Sequence, residues 1–189
     1  MPAHHARPTN TTGLTWESFE RLDTPEPETA ARVEPDPQKV ADLLGELVCD
    51  AFFVGYTFST SFSLEFDRSV SGPPADPRLP SQLRLDLLGE WWIDADEEWN
   101  TQFPVLVSND VPGEALQALK LTSLRWYAEP AVCSVRLEDQ VLELRFTNGW
   151  RINISSAPVM GYTWVLHGAE SPQTWAITCE GGEYFITDL

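Results

Sequence analysis

Histidine is scarce in this sequence, with three in the whole chain. His4 and His5 fall in a polar N-terminal stretch, which leaves His167 as the one histidine in sequence that patterns as folded. Any Ser/His/Asp or Cys/His nucleophile arrangement must therefore use it, and its position directly before Gly168 is that of a strand end. There is no G-x-S-x-G elbow, no Walker motif, no G-x-G-x-x-G and no zinc-ligand spacing. Cysteine is equally sparse. Cys49, Cys133 and Cys179 form an odd set with no C-x-x-C, and read as reduced, buried thiols. No apolar run approaches the roughly 20 residues of a bilayer span, and the opening "MPAHHARPTNTTG" lacks the apolar stretch of a secretory signal. A cytoplasmic chain is expected, in which the sequons at Asn10 and Asn153 carry little meaning.

Positive charge is the other shortage. Twelve lysines and arginines stand against 29 acids, for a formal net charge of -17. Such a surface repels nucleic acid and anionic membrane, and its natural complement is a basic protein; solubility alone is the competing explanation of the charge.

What the sequence has is apolar and aromatic content, at 42% hydrophobic with eight tryptophans, enough to bury a core in one domain or two small packed ones. Residues 1–36 contain "TPEPETAARVEPDP" and read as a flexible Pro/Glu-rich arm, with "LTWESFERL" as its one docking helix. Residues 37–189 read as a single folded region. Asp36 and Pro37 open a short helix whose Val40, Leu43, Leu44 and Leu47 share a face. "SFSLEFD", "QLRLDLL", "VLELRF" and "RINIS" alternate as half-buried strands, and "YTWVLHG", "TWAITCE" and "EYFITDL" supply more. A type I′ turn is expected at Asn148-Gly149 and another turn at Gly181-Gly182. "SFSLEF" and "VLELRF" match at an offset of 80, each after a helix-like segment. The fold class is mainly β (α+β): antiparallel sheets from two weakly related helix-plus-sheet modules, 37–110 and 111–189, with two or three short helices.

"WWIDADEEWN", residues 91 to 100, places three tryptophans and four acids in ten positions. Asp94, Asp96 and Glu98 match the first positions of a calcium loop, but Trp99 stands where its glycine belongs and Val105 where its bidentate glutamate belongs, so no EF-hand forms and no metal or cofactor is expected. A glycosidase pair needs carboxylates facing each other across a cleft, which alternating strand neighbours do not provide. The segment is better read by charge. Residues 85–119 carry eight acids and no lysine or arginine, a patch without local ion-pair partners whose self-repulsion a basic partner would relieve. Trp92 and Trp99 would then be apolar anchors among the steering charges of Asp94, Asp96, Glu97 and Glu98. The bland alternative is a solvated acidic loop with its tryptophans turned inward.

The segment "VRLEDQVLELRFTNGWRINISSAPVMGYTWVLHG", closing with "WAITCEGGEYFITDL", resembles a group of small actinobacterial domains of unknown function, with "LLGELV" and "SFSLEF" similar to that group's first half. Small acidic domains of this kind look like immunity proteins, which neutralise a toxin by covering its active site. The resemblance implies a non-catalytic inhibitor docking on a basic, nuclease-type partner, and carries no catalytic residues over. Two other readings stay open: a small cyclase-like β-barrel enzyme holding an apolar molecule in a cavity, and a self-associating structural domain.

Overall fold

The computed structural model describes residues 35–69, 80–102, 113–126, 130–157, 160–169 and 175–187. Residues 1–34 of the expected arm, with its "LTWESFERL" segment, lie outside the described residues. The described residues form three helices and ten strands, arranged as two antiparallel sheets.

Helix α1 (Pro37–Val48) begins as its sequence dictates. The Asp36 side chain accepts a hydrogen bond from the Gln38 amide at 2.9 Å, and Pro37 occupies a first-turn position that needs no amide proton. Val40, Leu44, Leu47 and Val48 are buried. The helix runs through Gly45, whose carbonyl accepts from the Cys49 amide. Asp50 follows at φ 65, and its amide bonds Val132 O at 2.8 Å, tying the helix end to a strand 80 residues on.

Strands β1 (Phe52–Phe58), β2 (Phe62–Asp67) and β3 (Gln82–Leu87) form a meander in the larger sheet. The chain then leaves that sheet. At the corner the Leu88 and Gly89 amides both donate to Thr163 O, at 2.9 and 2.8 Å. A Cβ on Gly89 would stand 3.2 Å from the Thr163 Cα, a tight contact that glycine avoids. Strand β4 (Trp91–Asp94) therefore does not continue the larger sheet but joins the smaller one.

After α2 (Glu97–Gln102) and α3 (Gly113–Trp126), the second half repeats the plan. A helix, α3, precedes a meander of β5 (Val132–Glu138), β6 (Val141–Phe146) and β7 (Arg151–Ser155), and the next strand, β8 (Tyr162–Gly168), crosses back. The larger sheet thus runs β1-β2-β3-β8-β9-β10, closing with β9 (Ala176–Glu180) and β10 (Glu183–Thr187), and the smaller β4-β7-β6-β5. β2 and β6, which carry the sequence repeat, are the middle strands of the two meanders. Each module's fourth strand completes the other's sheet, α1 packs on β5, and α3 packs on β1. The same order of helix, three-strand meander and crossing strand occurs twice, yet neither run owns a sheet.

Alternation sends one face of each sheet into a shared core. Leu64, Leu85, Trp164 and Ile177 of the larger sheet and Ile93, Leu142, Leu144 and Ile152 of the smaller belong to one buried cluster with α1 and α3. The sheets meet at edge-to-face aromatic contacts, Phe53–Phe146 and Phe62–Trp91.

The hairpins differ in a readable way. Asp139-Gln140 and Gly181-Gly182 are two-residue turns with both residues at positive φ, the primed geometry that matches strand twist. Asn148-Gly149 is not: only Gly149 lies at positive φ, and Phe146 N bonds Trp150 O while Gly149 N bonds Phe146 O. Three residues, 147–149, are looped out between that pair, so the turn is the longer kind that ends in one left-handed glycine.

Candidate functional site

The acidic segment comes first. β4 places Ile93 inward and Trp92 and Asp94 on the outer face of the smaller sheet, where Trp92 is half-buried opposite Asn153. Asp94 lies opposite Arg151, whose Nη2 is 3.3 Å from Oδ2, and accepts from Asn153 Nδ2 at 3.0 Å. Arg151 also reaches Glu143 at 3.6 Å. Asp96 accepts from the Trp99 amide at 2.7 Å, the N-terminal cap of α2. Glu97 and Glu98 are exposed in the first turn of that helix, where negative charge suits its dipole.

Trp99 corrects the expectation of a surface anchor. It is 2% exposed, packs edge-to-face on Trp150 at 6.1 Å, and has Lys120 Nζ 5.7 Å from its ring centroid. The physical reason is the cap: by fixing Asp96 against the Trp99 amide, it turns the side chain of the third helical residue toward the core. Lys120 also donates to Ile93 O, and Gln117 Oε1 accepts from Ile93 N, so α3 side chains satisfy the open edge of β4 at that residue. Burial pushes the Lys120 ammonium pKa down, with the Asp94 charge opposing. The lysine- and arginine-free segment therefore does have counter-charges, supplied by the fold from Arg84, Arg151 and Lys120.

His167 sits in a cross-strand cluster on the opposite face of the larger sheet. Ser63 Oγ donates to Asp86 Oδ1 at 2.5 Å, Arg84 Nε donates to the same oxygen at 3.0 Å, and Arg84 Nη2 donates to Ser63 Oγ. His167 Nε2 is 3.1 Å from Asp86 Oδ2, and its Nδ1 is 2.7 Å from Gly168 O. Burial alone would raise the Asp86 pKa, but the hydrogen bonds from Ser63, His167 and Arg84 together outweigh it and hold the group below its ordinary value. The three residue types of a hydrolase are present without its geometry. Ser63 bonds the carboxylate and not the imidazole, so the pair needed to activate a nucleophile is not formed, and Ser63 and His167 are themselves buried. The cluster ties β2, β3 and β8 together.

The surface feature that stands out lies at the corner where β4 leaves the larger sheet. A cleft of about 370 Å³, open to solvent, is floored by Phe58, Phe62 and Trp91 and rimmed by Leu88, Glu90, Glu114 and Gln117. Phe62, itself buried, lies 4.6 Å from Phe58 in a tilted contact and 4.9 Å from Trp91 edge-to-face, so it links the two more exposed rings. Phe58 is 54% and Leu88 47% exposed, two of the five exposed large apolar side chains among the described residues. Among the described residues the lining of the cleft contains no lysine or arginine. A second open hollow, about 640 Å³, lies beside the Asp139-Gln140 and Gly181-Gly182 turns, lined by Pro37, Leu137 and Tyr184.

Sequence reasoning missed this cleft because its residues come from three separate segments, 58–62, 87–91 and 113–117. One signal was available: in "DLLG" the alternation of β3 can bury only one leucine, and Leu87 takes the core while Leu88 is left outside. Among the described residues no group of three or more His, Cys, Asp or Glu could hold a metal ion, and no helix is long and apolar enough to cross a membrane. No family model matches the chain, and no curated protein and no solved structure is similar to it.

Proposed function

We propose that this chain is a non-catalytic acidic binding protein, an immunity-like inhibitor that docks on a basic protein partner. The observation that carries the reading is the corner cleft: exposed apolar and aromatic side chains with a rim that bears two carboxylates and, among the described residues, no basic one. Apolar anchors supply affinity in an interface, while surrounding charge steers encounter and excludes wrong partners. Glu97 and Glu98 on α2 extend the same acidic character. Asp94, Asp96 and Trp99 are assigned instead to holding β4 and α2 in place, and Trp92 to the outer face of the smaller sheet.

The test is a photo-crosslinking amino acid installed at Leu88 in the full chain, expressed in its source cells. The expected product is one adduct to a basic protein, lost when Glu90→Lys and Glu114→Lys are added. An equally strong adduct from position 145, on the outer face of the smaller sheet, or the absence of any basic protein from the Leu88 adducts, would overturn the assignment.

A further inference from the structure

The chemistry of the cleft goes beyond a general preference for basic surfaces. We infer that it is a receptor for a single arginine side chain projected by the partner, packed against the Phe58 and Trp91 rings with its charge toward Glu90 and Glu114. This rests on the binding reading above and adds the identity of the group that enters.

Three observations carry it. Phe58, 54% exposed, and Trp91, partly exposed, both line the hollow, and a cation over such rings is attracted by their electron-rich faces, best when the cation is flat and weakly hydrated. The carboxylates of Glu90 and Glu114 stand on different elements, the β3–β4 corner and the start of α3, on the rim of one hollow. Neither forms an ion pair or hydrogen bond with another described residue, in contrast to Asp86, Asp94 and Asp96, which are all engaged. The fold thus uses Asp86, Asp94 and Asp96 structurally and leaves these two facing the hollow. A guanidinium meets both features at once, offering a plane to the rings and several N–H donors to the carboxylates. An apolar side chain would leave the acids without a partner, and an acidic one would be repelled.

The experiment uses the full chain labelled with ¹⁵N and two short peptides, acetyl-Gly-Arg-Gly-amide and its citrulline counterpart, which is nearly the same shape and uncharged. The arginine peptide should shift the Gly89 amide, the Trp91 indole and the Gln117 side-chain signals. Citrulline should not, and Glu90→Gln or Glu114→Gln should weaken the arginine response several-fold while leaving the rest of the spectrum unchanged. Equal shifts with both peptides, or arginine shifts confined to Glu97 and Glu98, would overturn the inference. If Leu88 still crosslinks a basic protein while the arginine peptide leaves the cleft signals unmoved, the arginine assignment falls and the docking surface stands.

Discussion

Asp94 and Arg151 face each other across β4 and β7, 3.3 Å apart at Nη2 and Oδ2, with both side chains close to half exposed. A pair this open to water contributes only about 0.2–1 kcal/mol. Its larger meaning is that an acid counted as unpaired along the chain is paired across the sheet. Asp94→Lys places a cation opposite Arg151 and should destabilise the fold by about 1 kcal/mol through like-charge repulsion. Glu97→Lys, exposed on α2, should change urea stability by no more than about 0.5 kcal/mol. Equal effects would remove the distinction drawn between the two acids.

Trp99 and Trp92 separate in the same assay. Trp99→Ala empties a fully packed site against Trp150 and should cost about 3–5 kcal/mol. Trp92→Ala, half-buried on an outer sheet face, should cost clearly less. A small loss at Trp99 would mean that its side chain is not the core element described.

Asp86 sets a pH dependence. Its folded-state pKa is lowered, so its contribution is fully present above the ordinary unfolded value, about 3.9, and disappears as pH falls through the lower folded-state value. Comparing urea denaturation of the native chain and Asp86→Asn, the variant's deficit should be largest near neutrality and shrink in acid below that range. A deficit that grows toward acid pH would show that burial wins over the three hydrogen bonds.

The thiols should react in order. Cys133 is exposed and Cys49 partly so, correcting the expectation of buried thiols, while Cys179 is buried. Burial first, then the neighbouring Asp50 and Cys133, pushes the Cys49 thiol pKa up, which lowers its thiolate fraction. A thiol-counting reagent at neutral pH should label Cys133 first, Cys49 more slowly, and Cys179 only on unfolding. Labelling of Cys179 in the folded chain at the rate of Cys133 would contradict the packing of β9.

Much of the fold was legible because it is written in short-range patterns. The cap at Asp36-Pro37, the alternation of "SFSLEF" and "VLELRF", and the Gly181-Gly182 turn each depend on residues within a few positions of one another. The repeat at offset 80 was also readable, but not the exchange that makes Leu85 pair with Leu166 and Asp94 with Arg151. That exchange is set by which faces bury together, and no local pattern encodes it. The same limit explains the site. The run "WWIDADEEWN" drew attention by local density, whereas its Asp94, Asp96 and Trp99 serve the fold, and the cleft is assembled from three segments that carry Phe58, Leu88 with Glu90, and Glu114.

The central claim is that the corner cleft docks a basic protein. With the partner identified through Leu88, calorimetry of its complex with the native chain and with the Glu90→Lys, Glu114→Lys double variant tests this most directly. The account predicts an affinity that falls as salt rises, and a loss of at least about tenfold in the double variant, the equivalent of 1.4 kcal/mol, with its thermal stability unchanged. An affinity that is insensitive to salt and unaffected by the two reversals would contradict it.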